Sequence, residues 1–148
     1  MQYIFEKYKL QMVKENNSSY EIETGISNPQ DIKNILRDVL ELNKECEEVL
    51  YLLCLSTKNK VVSMFEVSRG SLNASVAHPR EVFKRAMLSN CNSIIIAHNH
   101  PSMDCTPSKE DIELSKRLDE GGNLLGIGLL DFVILGSELY SFKENRLL

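Results

Sequence analysis

The sequence predicts an α/β fold, a mixed β-sheet flanked by helices in a single domain, and three observations carry that prediction. The run Val49 to Leu55 is continuously apolar, as a strand buried on both faces must be. The turn signal Lys58-Asn59-Lys60 and a second strand-like run, Val61 to Val67, follow it, which favours an antiparallel neighbour over a buried helix. Segments with apolar residues at helical spacing then alternate with further strands, while the hairpin connections demand antiparallel pairs.

Each element can be justified in order. Tyr8, Leu10 and Met12 alternate within Met1 to Val13, which predicts a strand with one apolar face. The polar turn Glu15 to Ser19 would return it through Tyr20-Glu21-Ile22, so residues 1–27 are expected to form an N-terminal extension, a β-hairpin packed on a domain of residues 28–148. Asn28-Pro29 starts a helix whose stripe is Ile32, Ile35, Leu36, Val39 and Leu40. Gly70 to Ala77 reads as a loop or short edge strand. Pro79 occupies the first position of a second helix, with Val82, Phe83, Ala86 and Met87 inward and Asn90 near its stop. Ser93 to Ala97 is the next strand. Pro107 to Glu120 is expected to be a helix stopped by Gly121-Gly122, with Ile112, Leu114, Ser115 and Leu118 on its inner side. Leu129 to Leu135 and Leu139 to Phe142, joined by Gly136-Ser137-Glu138, close the sheet.

Composition narrows the function classes. The 148 residues suit one domain of common size, and 43% hydrophobic with 26% charged residues is ordinary globular usage. No run is long enough to span a bilayer, and neither a signal peptide nor a CxxC pair is present among the four cysteines, so a cytoplasmic protein with reduced thiols is expected. A net charge of −4 disfavours a dedicated nucleic-acid binder. Lys58, Lys60, Arg69, Arg80, Lys84 and Arg85 read as a solvated face.

The chemistry gathers after the strand at 93–97. Two of the chain's three histidines, His98 and His100, flank Asn99, and in extended backbone both point to one face while Asn99 points to the other. Pro101 holds His100 extended. Asp111 would add an oxygen to the two nitrogens, a set that suits zinc and leaves a fourth position open for water. Ser108-x-x-Asp111 taken alone is a capping box. If instead Thr106 caps the helix and Pro107 is its first residue, Ser108 and Asp111 are free for other work. Cys105 lies between the ligands and is read as a bystander thiol, and His78 before Pro79 reads first as part of a helix start.

His98-x-His100-Pro101, seven residues from 101 to 107, then Ser108-x-x-Asp111 resembles the JAMM motif of the JAB1/MPN metalloprotease superfamily. Val76-Ala77-His78-Pro79-Arg80-Glu81-Val82-Phe83 and Ala97-His98-Asn99-His100-Pro101-Ser102 resemble its RadC-like branch, and the likeness runs from about Glu48 to Leu148. The resemblance implies a JAB1/MPN (cytidine-deaminase-like) fold and zinc-dependent hydrolysis of a peptide or isopeptide bond, with one Zn2+ per chain and a peptide or protein as substrate. It also implies a glutamate base just before a hydrophobic strand upstream of the histidines, which points to Glu48, with Glu47 and Glu81 as alternatives. Ser108 would donate to the developing oxyanion. Relatives commonly carry glycine where this chain has Met103 and histidine where it has Phe132. Many also carry an N-terminal helix-hairpin-helix region, for which the segment ahead of Glu48 is too short, so its DNA contact is not expected here.

A non-catalytic module that binds protein or nucleic acid and keeps the metal as a structural clip is the competing expectation. A zinc nucleoside deaminase is disfavoured, because His-x-Glu and Pro-Cys-x-x-Cys are absent.

Overall fold

The computed structural model describes residues 1, 3–4, 6–15, 25–70 and 77–148. The Asn28 side chain accepts a hydrogen bond from the Asp31 amide and the Asp31 carboxylate accepts one from the Asn28 amide, a capping box that starts α1 (Pro29–Asn34). The helix runs on through a π-helical turn, Ile35–Val39, and a short 3-10 turn, Leu42–Lys44. Then come β1 (Glu48–Leu55), β2 (Val61–Gly70), α2 (Pro79–Leu88), β3 (Ser93–Asn99), α3 (Lys109–Leu125), β4 (Gly128–Leu135) and β5 (Leu139–Ser141).

The strands form one sheet in the order β2-β1-β3-β4-β5. Only β3 and β4 are parallel; the other neighbours are antiparallel, so the mixed α/β sheet expected from the hairpin signals is the observed one. α3 is the crossover between the parallel pair, as such a connection requires.

Alternation along β1 and β3 divides the core into two layers. Leu50, Leu52, Cys54, Ile94 and Ile96 face α2 and α3, packing on Val82, Phe83, Leu114 and Leu118. Val49, Leu53, Leu55, Ile95 and Ala97 face α1 and pack on Ile32, Ile35 and Leu36. All seven residues of β3 are buried, which is why its centre, Ile94 to Ala97, is an unbroken apolar run.

Several boundaries differ from the sequence expectation for identifiable reasons. α3 does not stop at Gly121-Gly122 but at Gly126, which takes the left-handed conformation (φ 71°). The earlier glycines serve close packing: a Cβ on Gly121 would stand 2.9 Å from the Phe83 ring, and one on Gly122 2.4 Å from the Ile127 carbonyl oxygen. α3 begins at Lys109, not Pro107, with Ser108 as its cap. Met87 is half exposed and does not belong to the buried stripe of α2. Residues 6–15 form no strand, and Tyr8 and Leu10 are exposed. The hairpin partner at 20–22, and most of the loop or edge strand expected at 70–77, lie outside the described residues; Gly70 itself closes β2. His78 caps α2, its Nδ1 accepting from the Arg80 amide at 3.1 Å.

Asp131 ties the last strand pair to the sheet. Its buried carboxylate accepts from the Phe132 amide (2.8 Å), the Ser141 hydroxyl (2.6 Å) and the Lys143 amide (3.1 Å). Asp131→Ala would leave three donors without their acceptor, and we expect a loss of about 3 kcal/mol or more, read as a lower urea midpoint with an unchanged m-value.

Candidate metal centre

The carboxyl end of β3 is held on both sides. Leu50 of β1 faces His98, and on the other side His98 faces Ile134 and the His100 amide donates to the Leu135 carbonyl at 2.9 Å. The two histidines therefore share the face of the sheet that α2 and α3 cover, at the carboxyl end of a parallel pair, where α/β sheets commonly place their sites. The imidazoles meet edge to face with centroids 4.8 Å apart.

A tight loop returns the chain to α3, and that turn brings in the carboxylate. The Met103 amide donates to the His100 carbonyl at 2.9 Å, and the His100 ring reaches forward so that Nδ1 lies 2.7 Å from the Asp104 carbonyl oxygen. A carbonyl only accepts, so Nδ1 carries the proton and the Nε2 lone pair is left facing the other site residues. Ser108 then caps α3: its Oγ accepts from the Asp111 amide (3.1 Å), while Asp111 Oδ2 accepts from the Ser108 amide (2.8 Å). The arrangement with Thr106 as cap is not adopted. Instead the Thr106 amide is taken by Asp104 Oδ1 at 2.9 Å, which closes the loop one turn earlier.

Capping does not withdraw Asp111 from the histidines. Its Oδ1 lies 3.0 Å from His98 Nε2 and its Oδ2 3.4 Å from His100 Nε2. Glu48, the first residue of β1, places Oε1 3.7 Å from His100 Nε2. Donor atoms of Glu48, His98 and His100 all lie within 4.8 Å of one another, close enough to share one ion.

The donor chemistry fits a metal. His98 Nε2 is buried and has no hydrogen-bond partner, although an Asp111 oxygen lies 3.0 Å away. A buried ring nitrogen without a partner is costly unless something else meets it. The two imidazoles and the Glu48 carboxylate, with Asp111 against both rings, form a nitrogen-oxygen set that could hold a metal ion.

Of the other glutamates weighed as bases, Glu81 sits on the exposed side of α2, bound to Lys84 and Arg85, which hold its carboxyl down at about 2. Glu47 offers its backbone carbonyl to Asn99. Cys105 packs against the core beside the loop. Part of the basic face is paired as well: Arg69 bonds Glu45 and Glu66.

Both departures noted in the sequence have a structural answer. Met103 takes φ 68°, the left-handed region that favours glycine, so the loop keeps the shape that a glycine would adopt there. Gly136 makes that shape possible from the other side, because a Cβ on it would stand 2.5 Å from the Met103 carbonyl oxygen. Phe132 is fully buried, its ring edge-on to His98 at 5.7 Å and 4.7 Å from Phe142, so it walls the site with core rather than with a further ligand.

Residues 26–147 match the family described as the RadC-like JAB domain. The chain belongs to that family. It is 47% identical over 125 residues to a UPF0758 protein of Alkaliphilus oremlandii, covering 83% of this chain and 53% of that one. It is 48% identical over 124 residues to a UPF0758 protein of Clostridium beijerinckii, again covering 83% and 53%. A UPF0758 protein of Caldanaerobacter subterraneus is 48% identical over 112 residues, 76% of this chain and 47% of its own length. The chain thus spans about half the length of these relatives. The match begins upstream of Glu48 and takes in α1.

Sequence reasoning placed His98, His100, Asp111, Ser108 and Glu48, and the fold brings them together. It missed the Asp104 carbonyl and the Asn99 side chain. A carbonyl partner has no residue-type signature. Asn99 had one, since a carboxamide on the apolar face of a buried strand must find partners.

Protonation and metal compete for the same atoms. His100 is raised from the usual imidazole range by its bond to Asp111, helped by the Asp104 carbonyl and opposed by burial. Burial pushes Asp111 up, but the His100 and His98 rings beside it outweigh that and hold the carboxyl well below the usual range. The raised histidine stabilises the metal-free fold below the ordinary imidazole value of about 6.5 and ceases to as pH rises through its folded value. The lowered carboxyl stabilises above its ordinary value of about 3.9 and ceases to as pH falls through its folded value. Metal-free protein is therefore expected to lose stability as pH climbs beyond about 6.5, while the rise in melting temperature on adding zinc grows over the same interval. Thermal melts with and without zinc at several pH values check both trends. Met103→Gly is expected to stabilise the fold by about 1 kcal/mol by relieving the left-handed methionine, read by urea unfolding.

Proposed function

We propose that this domain is a zinc-dependent hydrolase of peptide or isopeptide bonds, acting in the cytoplasm on a peptide or protein substrate. The observation that carries the reading is the orphaned, buried His98 Nε2 facing His100 Nε2, whose lone pair is freed by the Asp104 carbonyl, with a carboxylate on either side. His98, His100 and Asp111 would hold the ion, which supplies a Lewis acid and lowers the pKa of water to about 7.

Exposure separates the two carboxylates. The Asp111 side chain is 11% exposed, with both oxygens against ring nitrogens and the Ser108 amide behind it, which favours a fixed ligand. Glu48 is 29% exposed and meets the histidines through one oxygen, which leaves the carboxylate able to face water and substrate. Glu48 would take a proton from the attacking water and pass it to the leaving nitrogen, so that the C–N bond yields a carboxylate and an amine. The Ser108 Oγ accepts from the Asp111 amide, and its O–H remains free to donate to the oxygen that gains charge during attack. Phe132 and the surrounding core exclude water behind His98, which strengthens each of these interactions.

Relatives carry no activity in their names, and the chain covers about half of each, so substrate choice belongs to the proposal. We expect purified protein to bind one zinc and to cleave a fluorogenic peptide library. Glu48→Gln should keep the zinc and lose about 10²–10⁴-fold in kcat. Asp111→Asn should lose zinc affinity first. Zinc lost in Glu48→Gln would make Glu48 a ligand, and one zinc with no cleavage by the unaltered protein would make the site a structural clip.

A further inference from the structure

The backbones of β1 and β3 pair only as far as Leu50 and His98. Glu48 lies beyond that last pair, and among the described residues its strand partner is Gly70, the end residue of β2. At the Glu48 end β1 and β3 are tied by the side chain of Asn99. Its Oδ1 accepts from the Val49 amide at 2.8 Å and its Nδ2 donates to the Glu47 carbonyl at 2.9 Å. These two groups belong to the residues on either side of Glu48. Asn99 is 3% exposed and lies between His98 and His100 on the opposite face of β3.

We infer that Asn99 is a positioning residue for Glu48: its carboxamide grips the backbone on both sides of Glu48 and so sets the distance from that carboxylate to the His98–His100 pair. The inference rests on the proposed role of Glu48 as the base. The grip needs an acceptor and a donor on the same short side chain. Aspartate keeps the acceptor for Val49 but turns a lone pair toward the Glu47 carbonyl, and leucine keeps neither. The residue acts from behind the site, through backbone, and has no contact with the reacting atoms.

The test compares crystal structures of the unaltered chain, Asn99→Asp and Asn99→Leu, each checked for folding by thermal melt and for bound zinc. Both variants should keep the mutual distances of His98, His100 and Asp111, while the Glu48 carboxylate withdraws well past its 3.7 Å separation from His100 Nε2. In Asn99→Leu, which loses the acceptor, exchange of the Val49 amide with solvent should quicken by about tenfold, the loss of one hydrogen bond. In a chain that cleaves peptides, kcat should fall with KM and zinc stoichiometry unchanged. Should Asn99→Leu fail to fold, the near-isosteric Asn99→Asp carries the comparison.

The inference is overturned if Glu48 keeps its distance from His100 in the folded variants, or if Val49 keeps its protection in a folded Asn99→Leu. Displaced Glu48 in a protein that cleaves nothing even when unaltered would uphold the grip and sink the hydrolase reading. Cleavage that needs Glu48 but is indifferent to Asn99→Asp, with Glu48 in place, would do the reverse.

Discussion

The Asp111 carboxylate is the constraint on which the site depends. One oxygen accepts from the Ser108 amide and faces His100, and the other lies against His98, so a single group joins the start of α3 to the end of β3. The capping box and the proposed ligand are one arrangement seen from two sides. A helix N-terminus favours a negative side chain in its first turn, and the same charge attracts imidazolium or a cation. The cap therefore acts as the outer support that metal sites need, fixing the orientation of the carboxylate before any ion arrives.

That local geometry is possible only because β3 is pinned across the sheet. β1 and β4 hold it from both sides, and its alternation sends Ile94, Ile96 and His98 to one layer and Ile95, Ala97 and Asn99 to the other. Slipping the register by one residue would turn the histidines away from α3 and into the layer under α1. The apolar cost of such a slip, spread over two filled cores, protects a site that contains few residues itself. Burial thus stabilises the chemistry indirectly, through register.

The loop from Pro101 to Pro107 meets a second constraint, from β4 and β5. The Ser137 amide donates to the Met103 carbonyl at 2.8 Å, and Gly136 approaches the same carbonyl too closely for any side chain. The loop is thereby held in a shape that places φ 68° on a methionine. Tertiary contact overrides local preference here, as it does where Gly121 and Gly122 remain inside α3 instead of ending it.

The sequence by itself determined the strands with continuous apolar runs, the helices with clear caps, and which face His98 and His100 share, because periods of two and of 3.6 are properties of neighbouring residues. It also determined the spacing that brings Ser108 and Asp111 together, since a first helical turn is local. Glu48 was legible only through its resemblance to a family pattern; its separation from His100 depends on how β1 lies beside β3, some fifty residues away in the chain. The proton on His100 Nδ1, the identity of the partners that Asn99 finds, the strain on Met103 and the packing role of Gly121 and Gly122 were decided by the tertiary structure alone. Each depends on an atom supplied by a distant residue or by the backbone, and neither leaves a pattern in a single sequence. N-terminal Tyr8, Leu10 and Met12 show the converse: the alternation is present, yet these side chains are exposed and form no strand, because spacing alone supplies no strand partner.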